Sequence, residues 1–308
     1  MLRTLRLVSL LVLVLLGPPL RSVWSDDGSQ ILKDVAYGDD REFQTLDLKL
    51  PAPSEKPVPL VVWIHGGGWK SGDKRSPHPM RGLGDKGFAV ASINYRLSTV
   101  AAYPAQLDDC RAAIRFLRDK AAEYRIDPDR IGIWGGSAGG HLAAMVGVTS
   151  DDDENSLRVQ AVCDWCGPVD LVRAVSDAPK DSPIEIGELL WQLVLGPNAD
   201  NQRLRKSLDL QRRIRLLEAA SPIRFITGQE PPFLVVHGDA DTTVPIVQSR
   251  RFVAALKTAG VNVTFEEVPG AGHRLLDEPR CVTEAEDFFV RILQAEQATQ
   301  GSGRSLRE

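Results

Sequence analysis

The sequence of 308 residues has few of the features that mark disulfide-dependent or nucleic-acid-binding proteins. Its four cysteines are too few for a scaffold that depends on disulfides. Its formal net charge of -4 does not supply the basic surface that a phosphate backbone requires. Hydrophobic residues make up 43% and charged residues 25%, which is typical of globular domains. We therefore expect a globular protein with a large core and no nucleic-acid partner.

The sequence also lacks an apolar run long enough for a stable membrane span. The run LVSLLVLVLLG at residues 7–17 falls well short of the ~20 residues that a spanning helix needs. Two arginines precede this run and two prolines follow it, which is the layout of a secretory signal peptide. We expect a signal peptide at residues 1–25, cleavage near Ser25, and a secreted or periplasmic protein. A retained N-terminal membrane anchor is the alternative.

The cysteines are Cys110, Cys163, Cys166 and Cys281. After export they could form disulfides, although the sequence does not fix a connectivity. The CDWC segment at residues 163–166 has the spacing of a metal or redox motif, but a structural zinc site needs a second close pair of ligands. The two remaining cysteines do not supply that pair. We expect buried thiols or one disulfide, no metal and no cofactor.

Apolar, β-rich runs alternate with helical stretches along the chain. The runs lie at residues 59–66, 88–95, 130–136, 159–167, 232–239 and 263–270. Nearly continuous apolar strands are buried on both faces, as in a parallel sheet. Apolar residues recur at helical spacing in residues 105–124, and a second helix is predicted at 249–260 before a terminating glycine. This alternation predicts the α/β fold class, with a mostly parallel central sheet flanked by helices.

Two segments depart from this alternation. Polar and apolar residues alternate at 32–38 and 45–51, which predicts an antiparallel edge of the same sheet. Residues 172 to about 220 are charged and helical, and we expect them to form a cap-like insertion over the sheet. The chain is otherwise expected to be a single domain over residues 26–308.

A serine stands among glycines where a predicted strand gives way to a helix. Gly135, Ser137 and Gly139 form a G-x-S-x-G pattern, in which a tight, strained turn exposes the serine hydroxyl above the sheet. Only small neighbours allow such a turn. We interpret Ser137 as a catalytic nucleophile. The alternative is that the glycines only turn the chain and that Ser137 caps the helix.

The segment HGGGW, at residues 65–69, follows a predicted buried strand. Consecutive glycines expose backbone N–H groups, which can stabilise the oxyanion formed during ester hydrolysis. We expect Gly67 and Gly68 to form an oxyanion hole with Ala138, whose amide lies at a helix N-terminus. We expect His65 to orient this loop. A merely flexible glycine loop is the alternative.

A serine nucleophile needs a base to accept its proton. His273 lies in the small-residue segment PGAGHRL, after the last predicted strand and before a C-terminal helix. This position gives the chain order serine, acid, histidine that is found in α/β hydrolases. We expect His141 to be a packed helix residue and His78, in a Pro-rich loop, at most to line the pocket.

The base in turn needs an acid to orient it. The segment VVHGDADTTVP places Asp239 and Asp241 after a predicted strand, where parallel sheets carry their sites. We favour Asp241 because it lies further out on the loop, where it can reach His273, whereas Asp239 could brace the turn. Asp164 and Asp170 are weaker candidates and are expected to be structural.

Five segments together resemble the α/β-hydrolase superfamily of serine esterases. They are HGGGW, NYRLS at residues 94–98, DPDRIGIWGGSAGGHLA at 127–143, HGDADTTVP at 237–245 and GAGH at 270–273. The combination is most similar to bacterial bifunctional feruloyl and acetyl xylan esterases and carboxylesterases, over about residues 35–295. The resemblance implies an α/β-hydrolase fold with a helical insertion over the active site, a Ser137, Asp241, His273 triad and the oxyanion donors named above.

The expected function is a serine carboxylic ester hydrolase that acts through an acyl-enzyme. Its substrates would be short or aromatic acyl esters, such as acetyl or feruloyl esters of plant polysaccharide, because residues 172–220 are too charged for a lipid-binding lid. The acid segment is also similar to that of prolyl-oligopeptidase-like enzymes, so an exopeptidase or amidase with the same triad is the alternative. A catalytically silent binding module would instead predict a broken triad.

Overall fold

The computed structural model describes residues 21–24, 28–149, 157–178, 185–197, 203 and 207–294. The strands are β1 (Arg21–Trp24), β2 (Gln30–Ala36), β3 (Thr45–Leu50), β4 (Val58–Ile64), β5 (Ala89–Ile93), β6 (Ile126–Gly136), β7 (Ala161–Trp165), β8 (Phe233–Gly238) and β9 (Val263–Val268). Within these described residues, nine strands form one sheet in the order β1-β2-β3-β5-β4-β6-β7-β8-β9.

The sheet has an antiparallel edge and a parallel centre. Strand β1 pairs antiparallel with β2, β2 with β3, and β3 with β5. Strands β5, β4, β6, β7, β8 and β9 are paired in parallel in that spatial order. The six predicted apolar strands and the antiparallel edge are confirmed. The central parallel strands β4, β5, β7 and β8 are buried on both faces, so hydrophobic residues occupy most of their positions, whereas the edge strand β9 is only partly buried.

Strand β1 was not predicted, because it lies inside the segment interpreted as a signal peptide. Its residues pair with β2, from Arg21 opposite Lys33 to Trp24 opposite Gln30. Cleavage near Ser25 would remove this strand and leave β2 at the sheet edge. Residues 1–20 lie outside the described residues, so the signal peptide stays a prediction. Among the helices that the structure describes, none combines the length and apolar character needed to span a bilayer.

Helices cover both faces of the sheet. They are α1 (Arg81–Asp85), α2 (Ala105–Asp119), α3 (Ala121–Tyr124), α4 (Ala138–Val148), α5 (Leu171–Asp177), α6 (Ile186–Leu195), α7 (Leu210–Ala219), α8 (Val247–Thr258) and α9 (Pro279–Gln294). The predicted helix at residues 105–124 is two helices, α2 and α3, which meet at Lys120. Within the described residues of the segment 172–220, the predicted helical character is confirmed by α5, α6 and α7.

Two hydrophobic cores lie on opposite faces of the sheet. The larger core packs apolar side chains of α2, α4 and α8 against the sheet. The other packs α1 and α9 and contains Trp63, Trp134 and Trp165 from β4, β6 and β7. Trp134 packs in a T-shaped arrangement against the other two indoles, with its ring centroid 5.7 Å from that of Trp63 and 4.8 Å from that of Trp165. Apolar side chains thus cover both faces of the sheet at its centre, where β6 ends.

Candidate active site

Ser137 occupies a strained turn between β6 and α4. Its backbone has φ 57° and ψ -123°, a conformation that a residue with a side chain rarely adopts. A Cβ atom on Gly139 would lie 2.1 Å from the carbonyl oxygen of Ile64, so only glycine allows α4 to start this close to β4. The Ser137 side chain makes no capping hydrogen bond within the described residues. The geometry therefore favours an exposed nucleophile over a helix cap.

The structure brings Ser137, His273 and Asp241 into one hydrogen-bonded chain. The Ser137 hydroxyl lies 2.9 Å from Nε2 of His273, to which it can donate. Nδ1 of His273 lies 2.7 Å from Oδ2 of Asp241 and donates to it. The three residues follow β6, β9 and β8, whose carboxyl ends lie at one edge of the sheet. Residues far apart in the sequence therefore meet where the sequence analysis expected a site.

The loop after β8 distinguishes the two candidate acids. Asp241 is 7% exposed, and its Oδ1 accepts hydrogen bonds from the amides of Thr243 at 2.7 Å and Val244 at 3.0 Å. Asp239 is exposed, and its Oδ1 instead accepts a hydrogen bond from the amide of Gly270 at 2.6 Å. Asp241 is the residue that contacts the imidazole, and Asp239 braces the turn.

The two weaker candidate acids also have structural partners. Asp164 on β7 is fully buried, and its Oδ1 accepts a hydrogen bond from the Gly167 amide at 2.9 Å. Burial raises the pKa of Asp164 to about 6, while the hydrogen bond from Gly167 opposes that shift. Asp170 caps α5 by accepting a hydrogen bond from the amide of Arg173. Neither side chain contacts the base.

The electrostatics of the site favour a negatively charged Asp241 beside a basic His273. Burial raises the pKa of Asp241, but the hydrogen bonds from His237 and His273 lower it by more than burial raises it. The net pKa therefore lies well below its ordinary value. Burial lowers the pKa of His273, whereas the neighbouring Cys166 and the hydrogen bond to Asp241 raise it, and the net pKa is above 6.5. A carboxylate in this position stabilises the imidazolium that forms when His273 accepts a proton.

The glycine loop after β4 lies beside the nucleophile. Gly67 has φ +107°, and a Cβ atom there would lie 2.1 Å from the carbonyl oxygen of Ser71. The Gly67 carbonyl accepts hydrogen bonds from the amides of Lys70 and Ser71, which closes the loop. Gly67 and Gly68 line the same pocket as Ser137. The expected oxyanion donors of this loop are therefore adjacent to the serine, and Ala138 begins α4, where amide groups lack helical partners.

His65 and Tyr95 brace this loop from below. The two rings stack with centroids 4.4 Å apart, and the Tyr95 hydroxyl donates to the His65 carbonyl at 3.1 Å. Burial lowers the pKa of His65, although its hydrogen bond with Gly66 opposes the shift. This agrees with an orienting role for His65. Tyr95 lies in the NYRLS segment, whose local pattern does not indicate this contact with His65.

The side chains of the other two candidate histidines have partners or positions away from the Ser137 hydroxyl. His141 is fully buried on α4, accepts a hydrogen bond from the Trp69 indole at 3.1 Å and donates to the Ala220 carbonyl at 2.7 Å. Burial lowers the pKa of His141 to about 4, so it is a neutral, packed residue as expected. His78 is absent from the residues that line the pocket over Ser137.

The pocket over the serine has a volume of about 600 Å³. It is lined by Gly67, Gly68, Lys70, Ser71, Ser137, Glu185, Glu188, Leu189, Gln192 and His273. Glu188, Leu189 and Gln192 belong to α6, and Glu185 directly precedes it. The helical segment expected to be an insertion therefore supplies polar and charged groups to the pocket wall. The sequence does not indicate that these residues reach the pocket, because the contact depends on how α6 packs.

All four cysteines lie in the described part of the chain and are buried, free thiols. The Cys166 thiol lies 3.5 Å from the His273 carbonyl oxygen. Within the described residues, the one cluster of three potential metal ligands is Cys166, Asp241 and His273. A metal ion there would compete with the hydrogen bond between His273 and Asp241. The disulfide alternative for these cysteines is not realised in the structure.

Known proteins resemble this chain over most of its length. Esterase LipQ of Mycobacterium tuberculosis is 33% identical over 84% of this chain, which covers 62% of that protein. The chain thus spans about six tenths of the length of this relative. A truncated carbohydrate esterase from gut microbiota has a TM-score of 0.72 and 33% identity, with 88% of this chain and 99% of that chain covered. An acetyl ester-xyloside bifunctional hydrolase from Caldicellulosiruptor lactoaceticus has a TM-score of 0.63 and 25% identity, covering 80% and 88% of the two chains.

A family profile agrees with the fold and with these relatives. The profile of the BD-FAE family matches residues 46–256, which extend from β3 to within α8 and include Ser137 and Asp241. His273 lies beyond the matched range. The match covers more than half of the sequence. The chain therefore belongs to the BD-FAE family of α/β hydrolases.

Proposed function

We propose that this chain is a serine carboxylic ester hydrolase that uses Ser137, His273 and Asp241 as its catalytic triad. The observation that carries the proposal is the hydrogen-bonded chain from the Ser137 hydroxyl through His273 to Asp241, with distances of 2.9 and 2.7 Å. The strained turn at Ser137 and the adjacent glycine loop support it. The similarity to named esterases agrees with this chemistry.

The reaction proceeds in two acyl transfers. Ser137 Oγ attacks the ester carbonyl while its proton passes to Nε2 of His273, and the amides of Gly67, Gly68 and Ala138 stabilise the oxyanion. The tetrahedral intermediate then expels the alcohol, which takes the proton from His273, and an acyl-Ser137 ester remains. Water attacks this ester with the same proton transfers and releases the acid. Asp241 holds the imidazole in the required tautomer throughout.

The polar pocket supports a hydroxylated alcohol and a short or aromatic acyl group. Glu185, Glu188 and Gln192 offer hydrogen-bond acceptors and donors above the serine. Such groups suit sugar hydroxyls better than a long alkyl chain, whose burial against charges would be unfavourable. Two of the similar structures are titled as a carbohydrate esterase and an acetyl ester-xyloside hydrolase. We therefore assign acetyl or feruloyl esters of plant polysaccharide as the substrate class.

The activity is tested with purified protein and p-nitrophenyl acetate. The wild type should hydrolyse this ester and react with a fluorophosphonate probe at Ser137, and Ser137→Ala should lose both. The absence of hydrolysis, or its retention in Ser137→Ala, would contradict the proposal. Aminoacyl p-nitroanilides test the exopeptidase or amidase alternative, because an esterase should leave these amides largely intact.

A substrate panel tests the acyl and alcohol specificity. We expect acetate release from acetylated xylo-oligosaccharides and faster hydrolysis of p-nitrophenyl acetate than of the palmitate ester. Methyl ferulate tests the aromatic acyl group. Preference for the palmitate ester over all the short and aromatic esters would contradict the assigned substrate class.

We also propose that residues 1–25 direct export, and that residues 26–308 form one domain in which residues 172–220 are the cap-like insertion. The basic start, the short apolar run and the prolines at the N-terminus support export. Expression of the full chain in a bacterium, followed by N-terminal sequencing of the exported protein, tests this. An intact N-terminus in the membrane fraction would favour the anchor.

A further inference from the structure

Asp241 lies between two imidazole rings. Its Oδ2 atom is 2.7 Å from Nδ1 of His273 and 3.2 Å from Nε2 of a second histidine, His237. His237 belongs to β8 and is completely buried. The proposed reaction needs His273 but gives no task to His237. A second histidine nevertheless contacts the acid that orients the first.

The surroundings of His237 determine which of its nitrogens carries hydrogen. Nε2 faces two acceptors, the Val244 carbonyl oxygen at 2.8 Å and Asp241 Oδ2 at 3.2 Å. A nitrogen lone pair in this place would be repelled by both oxygens, so Nε2 carries the hydrogen. Nδ1 lies 2.7 Å from the hydroxyl oxygen of Ser249. A neutral imidazole has one donor and one acceptor, so Ser249 donates to Nδ1.

These contacts complete the coordination of the Asp241 carboxylate. Backbone amides of Thr243 and Val244 hold Oδ1, and the two imidazoles hold Oδ2. Rotation of the carboxylate about its Cβ–Cγ bond would break bonds at both oxygens. The imidazole of His237 thus restrains the oxygen that contacts His273. Because both side chains are buried, water is poorly placed to substitute for this donor.

We propose that His237 and Ser249 are positioning residues that extend the triad to a chain of five: Ser249, His237, Asp241, His273 and Ser137. Ser249 fixes the tautomer of His237, and His237 directs its N–H group towards the Val244 carbonyl and Oδ2 of Asp241. This arrangement keeps Oδ2 aligned with His273. The inference rests on the proposed function, since it concerns the orientation of the same triad.

Other ionisable groups near His237 could influence the same readouts. Besides Asp241, the ionisable groups that a charge on the His237 imidazole would act on are Asp164 on β7 and Glu267 on β9. Asp164 is buried and has a raised pKa, whereas Glu267 is exposed and paired with Arg250. Neither supplies a hydrogen bond to Asp241. The variants below leave both residues unchanged, so their contributions are shared by all proteins compared.

The central test replaces His237 by leucine, which keeps an apolar volume but removes both ring nitrogens. Misplacement of Asp241 should lower kcat for p-nitrophenyl acetate about 100-fold with little change in KM. The acid limb of the pH profile should move to lower pH, because a weaker bond from Asp241 raises the pKa of His273 less. A folded His237→Leu protein with unchanged kcat and an unchanged acid limb would overturn the proposal.

Two further variants separate positioning from packing. His237→Gln can present an amide N–H near the same acceptors, and it should restore kcat to within about tenfold of the wild type. Ser249→Ala removes the hydroxyl that fixes the tautomer of His237 and should lower kcat by about tenfold or less. Val235→Ala, on the same strand and also buried, creates a cavity without touching the chain of five. It should lower thermal stability but keep kcat and the acid limb.

The tautomer provides a readout that does not require turnover. Spectra of ¹⁵N-histidine-labelled wild-type protein, assigned with His237→Gln, should show hydrogen on Nε2 of His237 and none on Nδ1. An Nδ1–H tautomer would overturn the proposal even if His237→Leu failed to fold. Wild-type protein and Ser137→Ala are assayed alongside. Inactive wild type would refute the proposed function, whereas active wild type with a fully active His237→Leu would refute only the role of His237.

Discussion

The sheet edge and the helical segment at residues 171–219 contribute to the pocket in different ways. The sheet edge formed by the carboxyl ends of β6, β8 and β9 carries Ser137, Asp241 and His273. Hydrogen bonds between buried or half-buried groups fix their geometry. The helical segment contributes Glu185 and Glu188, which are exposed. On the proposed function, the sheet edge would carry out the reaction, whereas α6 would influence which substrates fit. Substitutions in the two regions should therefore affect kcat and KM differently.

The largest expected effect is the difference in kcat between substitutions of the two aspartates after β8. In Asp241→Asn the carboxylate that stabilises the imidazolium is lost and the tautomer of His273 is no longer fixed, so kcat should fall about 10⁴-fold. Asp239→Asn is the matched control, because an amide oxygen can still accept the Gly270 hydrogen bond. It should keep nearly full activity. Equal losses in both variants would refute Asp241 as the orienting acid; steady-state kinetics with p-nitrophenyl acetate decides this.

The next effect concerns the glycine loop of the sheet edge. Gly67→Ala would force a Cβ atom against the Ser71 carbonyl and displace the amides beside Ser137, so kcat should fall about 10²-fold to 10³-fold. Gly87→Ala is a suitable control, because Gly87 also has a positive φ but nothing lies within 4 Å of its added Cβ. The control should lose stability alone. Comparable kcat in the two variants would argue against an oxyanion role for this loop.

The pH dependence of the activity should be set by His273 and Asp241 at the sheet edge and not by residues of α6. His273 acts as a base only when neutral, and its pKa is raised above 6.5. The midpoint of the acid limb of kcat/KM should therefore lie above pH 6.5, with activity falling about tenfold per pH unit below it. In Asp241→Asn the midpoint should move down. A wild-type midpoint at or below 6.5, with circular dichroism showing intact protein, would contradict this.

The smallest expected effect lies on α6. Glu188→Gln removes a charge from the pocket wall and should raise KM for an acetylated xylo-oligosaccharide by a few-fold to about tenfold, the size of one hydrogen bond. Its kcat for p-nitrophenyl acetate should stay near that of the wild type, because the small ester does not need that contact. Glu123→Gln, remote from the pocket on α3, controls for loss of charge. Unchanged KM for every saccharide ester would remove Glu188 from the substrate contacts.

The sequence predicted the parallel strands and indicated the candidate site residues because both depend on local patterns. A strand buried on both faces requires a continuous apolar run, and the turn at Ser137 requires glycines on either side. The sequence also favoured Asp241 over Asp239, and the structure places Asp241 against His273 because the residue further from the strand end can turn towards it; its role as the catalytic acid stays a prediction. Strand β1 was missed because its residues were interpreted as part of a signal peptide.

The remaining parts of the site could not be predicted from local patterns. His237 follows four apolar strand residues and begins the HGDADTTVP segment, but nothing in that pattern indicates its contact with Asp241, which forms only when the loop after β8 folds back. Tyr95 supports the glycine loop through a stacking contact with His65, 30 residues away along the chain. The pocket residues of α6 depend on the packing of a helix remote in sequence from Ser137.

The sequence by itself determined the fold class, the tight turn that holds Ser137 and the loops that carry Asp241 and His273, because backbone sterics and hydrophobic periodicity act over a few residues. Only the tertiary structure decided which groups surround them. The 2.9 and 2.7 Å contacts, the second histidine at Asp241 and the charged wall supplied by α6 arise from strand order and helix packing. Such contacts join distant segments, and burial of the two cores fixes them in place.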